Sequence, residues 1–101
     1  MATPNPLEIV YFDSELKQDL SARLKRIEGQ ARGIDKMLQG DQPCPKVLNQ
    51  LAATQAALQS VSRIVLRNYL ENCVTHAIAG GDTRRKEAVF DELMDVLKKF
   101  G

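Results

Sequence analysis

The stretch "CPKVLNQLAATQAALQSVSRIVLRNYLENCVTHAIAG", Cys44 to Gly80, decides the fold. Between Pro45 and Gly80 it holds neither proline nor glycine, so nothing inside it breaks a helix. Proline is tolerated in a first turn, so Pro43 and Pro45 mark an opening and not an interruption. The run predicts a helix of about 35 residues, roughly 50 Å at 1.5 Å per residue. Val47, Leu48, Leu51, Leu58, Val61, Val65 and Leu66 are its apolar positions. The tract "LAATQAALQSV", 51–61, is rich in small residues and permits close helix–helix approach. A helix this long outruns the core that 101 residues supply alone, so a second copy is expected to pack against it.

Upstream of it, Asp13 or Ser14 caps a helix carrying Leu16, Leu20, Leu24, Ile27, Ala31, Ile34 and Leu38 on one stripe. Steps of three and four define an amphipathic helix. "QGDQP", 39–43, ends it, with Gly40 as the C-terminal cap and Pro43 barring continuation. Downstream, Gly80 and Gly81 stop the long helix. Asp82 or Thr83 then caps a shorter third one with Val89, Phe90, Leu93, Val96, Leu97 and Phe100 inside. The first twelve residues, "MATPNPLEIVYF", carry two prolines and are expected to form a flexible arm. Its "EIVYF" is read as packing against a neighbouring helix in preference to forming a strand. The expectation is an all-α protein with an arm over 1–12 and a single helical domain over 13–101.

Lysine and arginine number 14 against 13 acidic residues, a net charge of +1, so any basic surface must come from local clustering. Arg23, Lys25, Arg26 and Arg32 gather on the first helix with Gln30 among them, and Arg63 and Arg67 stand four apart on the second. No apolar run approaches the roughly 18 residues that a membrane span needs. The N-terminus shows no basic region followed by an apolar core. A soluble cytoplasmic protein with no membrane partner is the expectation. Two cysteines are too few for a disulfide framework.

Cys44 and Cys73 stand 29 positions apart. On an unbroken α-helix that is about 20° from a whole number of turns, with an axial separation of roughly 43 Å. The two thiols then share a face but cannot meet within one helix. Two copies packed antiparallel bring Cys44 of one beside Cys73 of the other, with the two-fold near Leu58 and Gln59. In the first helical turn, unpaired N–H groups and the helix dipole favour the thiolate of Cys44. An enzyme would want a cleft and an acid–base partner near the thiol, and the sequence offers neither clearly. The chain is read as a non-enzyme.

The run "LSARLKRIEGQARGIDKML", 20–38, then Cys44, then "VLNQLAATQAAL", 47–58, then "NYLENCV", 68–74, resembles the copper-sensitive operon repressor family, which also holds nickel/cobalt, formaldehyde and persulfide sensors. The resemblance implies a three-helix subunit, an antiparallel dimer built on the long second helix, and a dimer of dimers. It also implies a repressor without a helix-turn-helix that releases operator DNA when its cysteine site is occupied or modified. Basic residues on the outer helical faces read DNA in this family. Arg23, Lys25, Arg26, Gln30, Arg32, Arg63 and Arg67 are the implied contact set.

Copper members hold Cu(I) with a cysteine matching Cys44 and, across the dimer, a histidine and a cysteine matching Tyr69 and Cys73. Tyr69 is the departure. A neutral phenol, pKa about 10, is a poor ligand for soft Cu(I). Keeping both cysteines without that histidine looks like the persulfide-sensing branch. The expected function is therefore a homotetrameric repressor that senses reactive sulfur species through an interchain Cys44–Cys73 dithiol, with no cofactor. Cys44 attacks first and Cys73 resolves. The alternative is a Cu(I) sensor using Cys44, Cys73 and His76, which lies one turn beyond Cys73.

Overall fold

The computed structural model describes residues 11–74 and 83–100, and among them there are helices and no strand. In chain order they are α1 (Ser14–Gln39), α2 (Cys44–Asn68), a π-helical segment (Tyr69–Val74) and α3 (Thr83–Phe100). The all-α architecture is as expected. Tyr11 and Phe12 belong to no strand, and the rest of the expected arm lies outside the described residues.

The start of α1 is set by Asp13, whose extended backbone lets its carboxylate accept the Leu16 N–H at 2.8 Å. That bond satisfies one of the N–H groups a helix start leaves unpaired. At the other end the Gly40 N–H donates to the Lys36 carbonyl at 3.0 Å, and Gln42 N–H to that of Met37 at 3.0 Å. Gly40 is the C-cap, but with φ −88 it needs no glycine conformation. The left-handed residue is Asp41, φ 53, a residue type whose short polar side chain tolerates that region. Pro43 then opens α2, its carbonyl accepting the N–H groups of Lys46 at 3.0 Å and Val47 at 3.3 Å.

The chain divides into two compact units, and the first is Phe12–Val65. Within it, Phe12, Leu20 and Leu24 line an open groove of about 430 Å³ together with Val61 and Val65. The start of α1 thus lies beside the end of α2. Because the short turn at 40–43 joins their other ends, the two helices run antiparallel. Leu20, Ile34, Val47 and Val61 are buried. Leu24 and Leu38, from the same α1 stripe, stay exposed. So do Leu48, Leu51 and Leu58, at 61 %, 40 % and 49 %. They flank the line of Val47 and Val61, so α1 covers only part of the apolar face of α2.

The second unit takes Tyr11, the chain from Leu66 onward and α3. In it α3 packs against the π-helical segment. Val89, Leu93 and Val96 are half-buried there, while Phe90, Met94, Leu97 and Phe100 are exposed.

One expectation is corrected here. The long helix is not α-helical to its end. It is 25 residues of α-helix followed by six of π-helix, and residues 75–82 lie outside the described part. A π turn closes i→i+5 bonds, so each residue advances by less than the α-helical 100°. The phase that put Cys73 on the face of Cys44 therefore does not run through to Cys73. No proline or glycine announces such a turn, which is why an unbroken helix was the natural expectation.

Candidate thiol site and basic faces

Cys44 is the first residue of α2 and carries a free, exposed thiol. The position follows from the local sequence. Pro43 supplies the capping carbonyl, and Pro45 has no N–H to leave unpaired in the first turn. Cys73 is the fifth residue of the π-helical segment and lies in the other unit. Tyr69, its first residue, is half-buried. His76 lies outside the described residues. Among the described residues no three of histidine, cysteine, aspartate and glutamate come together as a metal cage. Cys44 is the exposed thiol among the described side chains.

The π-helical segment is tied down by amide groups. Asn68, the last residue of α2, is buried, and its Nδ2 donates to the Tyr11 carbonyl at 2.6 Å. Its Oδ1 accepts from Nδ2 of Asn72 at 2.6 Å. These residues were not among the sequence candidates. The available signal was an asparagine inside "IVLRNYL", where an apolar stretch gives a buried amide no obvious partner.

The basic residues of α1 do not form one patch. A regular helix over Ser14–Gln39 sends Arg23, Arg26 and Gln30 along one flank of the apolar stripe and Lys25 and Arg32 along the other. Lys25 borders the groove between α1 and α2, as do Lys17 and Glu28. Several cations are already engaged. Arg23 binds Asp19 at 3.2 Å, Arg32 binds Glu28 at 2.8 Å, and Arg67 binds Glu71 at 2.8 Å, all four residues apart. The hydrogen bond to Glu71 and its charge hold the Arg67 guanidinium above its ordinary pKa. Such exposed pairs are weak, so a phosphate can replace the carboxylate at small cost. Lys25, Arg26 and Arg63 have no ion pair among the described residues. Gln30 buries its Oε1 with no partner among the described residues.

Residues 16–99 match the family described as "Metal-sensitive transcriptional repressor". The chain belongs to this family. It is 44 % identical over 87 residues to the copper-sensing transcriptional repressor CsoR of Bacillus subtilis (strain 168), covering 86 % of this chain and 83 % of that one. The copper-sensing transcriptional repressor RicR of Mycobacterium tuberculosis is 43 % identical over 68 residues, covering 67 % and 71 %. Among solved structures, the copper-sensing repressor CsoR with Cu(I) from Geobacillus thermodenitrificans NG80-2 superposes with a TM-score of 0.82 at 38 % identity, over 91 % of this chain and 93 % of that one. The nickel-responsive transcriptional regulator InrS follows with 0.67 at 42 % identity, over 77 % and 88 %. The protein is thus a metal-sensitive transcriptional repressor and not an enzyme, and operator binding and oligomeric assembly come with the family. The finer expectation, reactive sulfur as the inducer, has no counterpart among these named relatives. They favour the Cu(I) alternative. No described helix is long and apolar enough to cross a membrane.

Proposed function

We propose that this repressor releases its operator when Cu(I) is held between Cys44 of one subunit and Cys73 of the partner subunit. The observation that carries it is the exposed Cys44 thiol at the start of α2, on a helix whose Leu48, Leu51 and Leu58 await cover by another copy. Two thiolates are a donor set suited to soft Cu(I), and neither the tyrosine at 69 nor a third ligand is required for that preference. His76 is a candidate third donor from the sequence alone. Arg23, Lys25, Arg26, Gln30, Arg32, Arg63 and Arg67 remain the proposed operator contacts, with Lys25, Arg26 and Arg63 available without displacing a carboxylate.

Tyr69 favours a second reading, the reactive-sulfur sensor. There the Cys44 thiolate attacks a polysulfide, takes one sulfur as a persulfide and displaces the shortened sulfide chain. Attack by Cys73 of the partner subunit on that persulfide closes the disulfide and expels hydrosulfide. The two thiols are oxidised by two electrons and the polysulfide sulfur is reduced.

One experiment separates the readings. Reduced protein is bound anaerobically to DNA from upstream of its own gene, and Cu(I) or polysulfide is added while anisotropy reports release. Release by Cu(I) alone supports the metal reading, and release by polysulfide alone the sulfur reading. Cys44→Ser should bind the DNA as the native protein does and fail to release it. Normal release by Cys44→Ser would overturn both.

A further inference from the structure

Asn68 is the buried polar residue among the described residues, at 9 % exposure. It stands where α2 ends and the π-helical segment begins. Both halves of its amide are used. The nitrogen donates to the Tyr11 carbonyl and the oxygen accepts from Asn72, each at 2.6 Å. The requirement that the nitrogen face a carbonyl fixes which way the amide points. The first bond reaches 57 positions back along the chain, and the second bridges to the residue immediately before Cys73.

Packing alone does not ask for this residue. Leucine at 68 would bury more apolar surface, and asparagine is a mediocre helix former. An amide at this point instead specifies one geometry: it fastens the first turn of the π-helical segment to the backbone at Tyr11. Asn72, on the exposed side of the same turn, completes the clasp. The α3 helix packs on this segment from within the same unit.

We propose that Asn68 is a positioning residue for the sensing thiol: by clasping Asn72 to the Tyr11 backbone it sets the turn that carries Cys73 and so the readiness of Cys73 to react. The proposal rests on the thiol-site reading above. Linkage makes the effect reciprocal, so an inducer that alters the Cys73 turn also alters the hold on Tyr11 at the start of the helical chain.

The test uses the full-length reduced protein in two single-thiol backgrounds, Cys44→Ser, which leaves Cys73, and Cys73→Ser, which leaves Cys44. Iodoacetamide alkylation rates are measured with and without Asn68→Leu or Asn72→Ala, and circular dichroism checks the helix content. Asn68→Leu removes both bonds at similar volume. Asn72→Ala removes only the second, at an exposed position where folding is not at stake. We expect the Cys73 rate to change by about fivefold or more, the equivalent of one hydrogen bond of roughly 1 kcal/mol, while the Cys44 rate stays within about twofold. A general loosening of the fold would move both rates together, and unchanged Cys73 rates in the folded variants would overturn the proposal. The sensing reading fails separately. If the native protein ignores both Cu(I) and polysulfide on DNA while the variants still shift Cys73 alone, the positioning stands and the sensing role falls.

Discussion

The described residues of the unit over Phe12–Val65 and of the unit built on Leu66–Val74 and α3 bury different chemistry. In the first the buried residues are aliphatic: Leu20, Ile34, Val47 and Val61. Its caps and four-apart ion pairs lie at the surface, and Gln30 buries a side-chain oxygen that lacks a partner among the described residues. Among the described residues of the second the buried one is Asn68, held by two directional hydrogen bonds, with Val89, Leu93 and Val96 half-buried. Aliphatic burial tolerates small shifts of one helix on another. A two-bond amide clasp does not, because a shift of an ångström breaks it and leaves buried groups unpaired. The hairpin is thus a scaffold that presents Cys44 and most of the basic residues. The clasped π turn carries Cys73 and has the sharper geometry.

The comparison breaks most decisively on the core of the hairpin. Leu20→Ala removes a buried side chain next to the groove with Val61 and Val65, and should cost about 2–4 kcal/mol. Urea unfolding at fixed subunit concentration measures it, since the family assembles and stability depends on protomer concentration. A loss under about 1 kcal/mol would mean that the hairpin core contributes little and that subunit contacts hold the fold.

Next in size is the cap. Asp13→Ala leaves the Leu16 N–H without its side-chain acceptor and should cost about 1 kcal/mol, or a fall in Tm of about 4–8 °C. Asp13→Ser should restore most of it, because a hydroxyl also accepts from the first turn. If serine does not rescue, the carboxylate charge and not the cap is the source of stability.

These two positions also mark how much was legible. The Asp13 cap, the Gly40 end and the buried Leu20, Ile34, Val47 and Val61 all follow from a period of 3.6 with its stop signals. The same period failed after Asn68, because a π turn changes the advance per residue without changing the residue types. The left-handed backbone fell on Asp41 and not on Gly40, since the chain reverses one residue later than the helix ends. At the thiol site the helix-start position of Cys44 was readable from its flanking prolines. The Asn68 clasp was not, because its partner Tyr11 is far away in sequence. The basic residues were chosen by type, and proximity in sequence hid their division between two flanks of α1.

The smallest effect has the opposite sign and tests where the hairpin's boundary lies. Gly29 and Gly33 sit four apart inside α1, and a Cβ built on either meets nothing within 4 Å. Neither has a positive φ. Within one chain, then, glycine serves no steric need there and only weakens the helix. Gly33→Ala should raise helix stability by up to about 1 kcal/mol in the conditions used for Leu20→Ala. A gain means that this side of α1 stays open after assembly. A loss means that another surface comes within van der Waals reach of the Gly33 backbone once subunits associate. The concentration dependence of unfolding then identifies that surface as a second copy, since the loss would grow as the protein assembles.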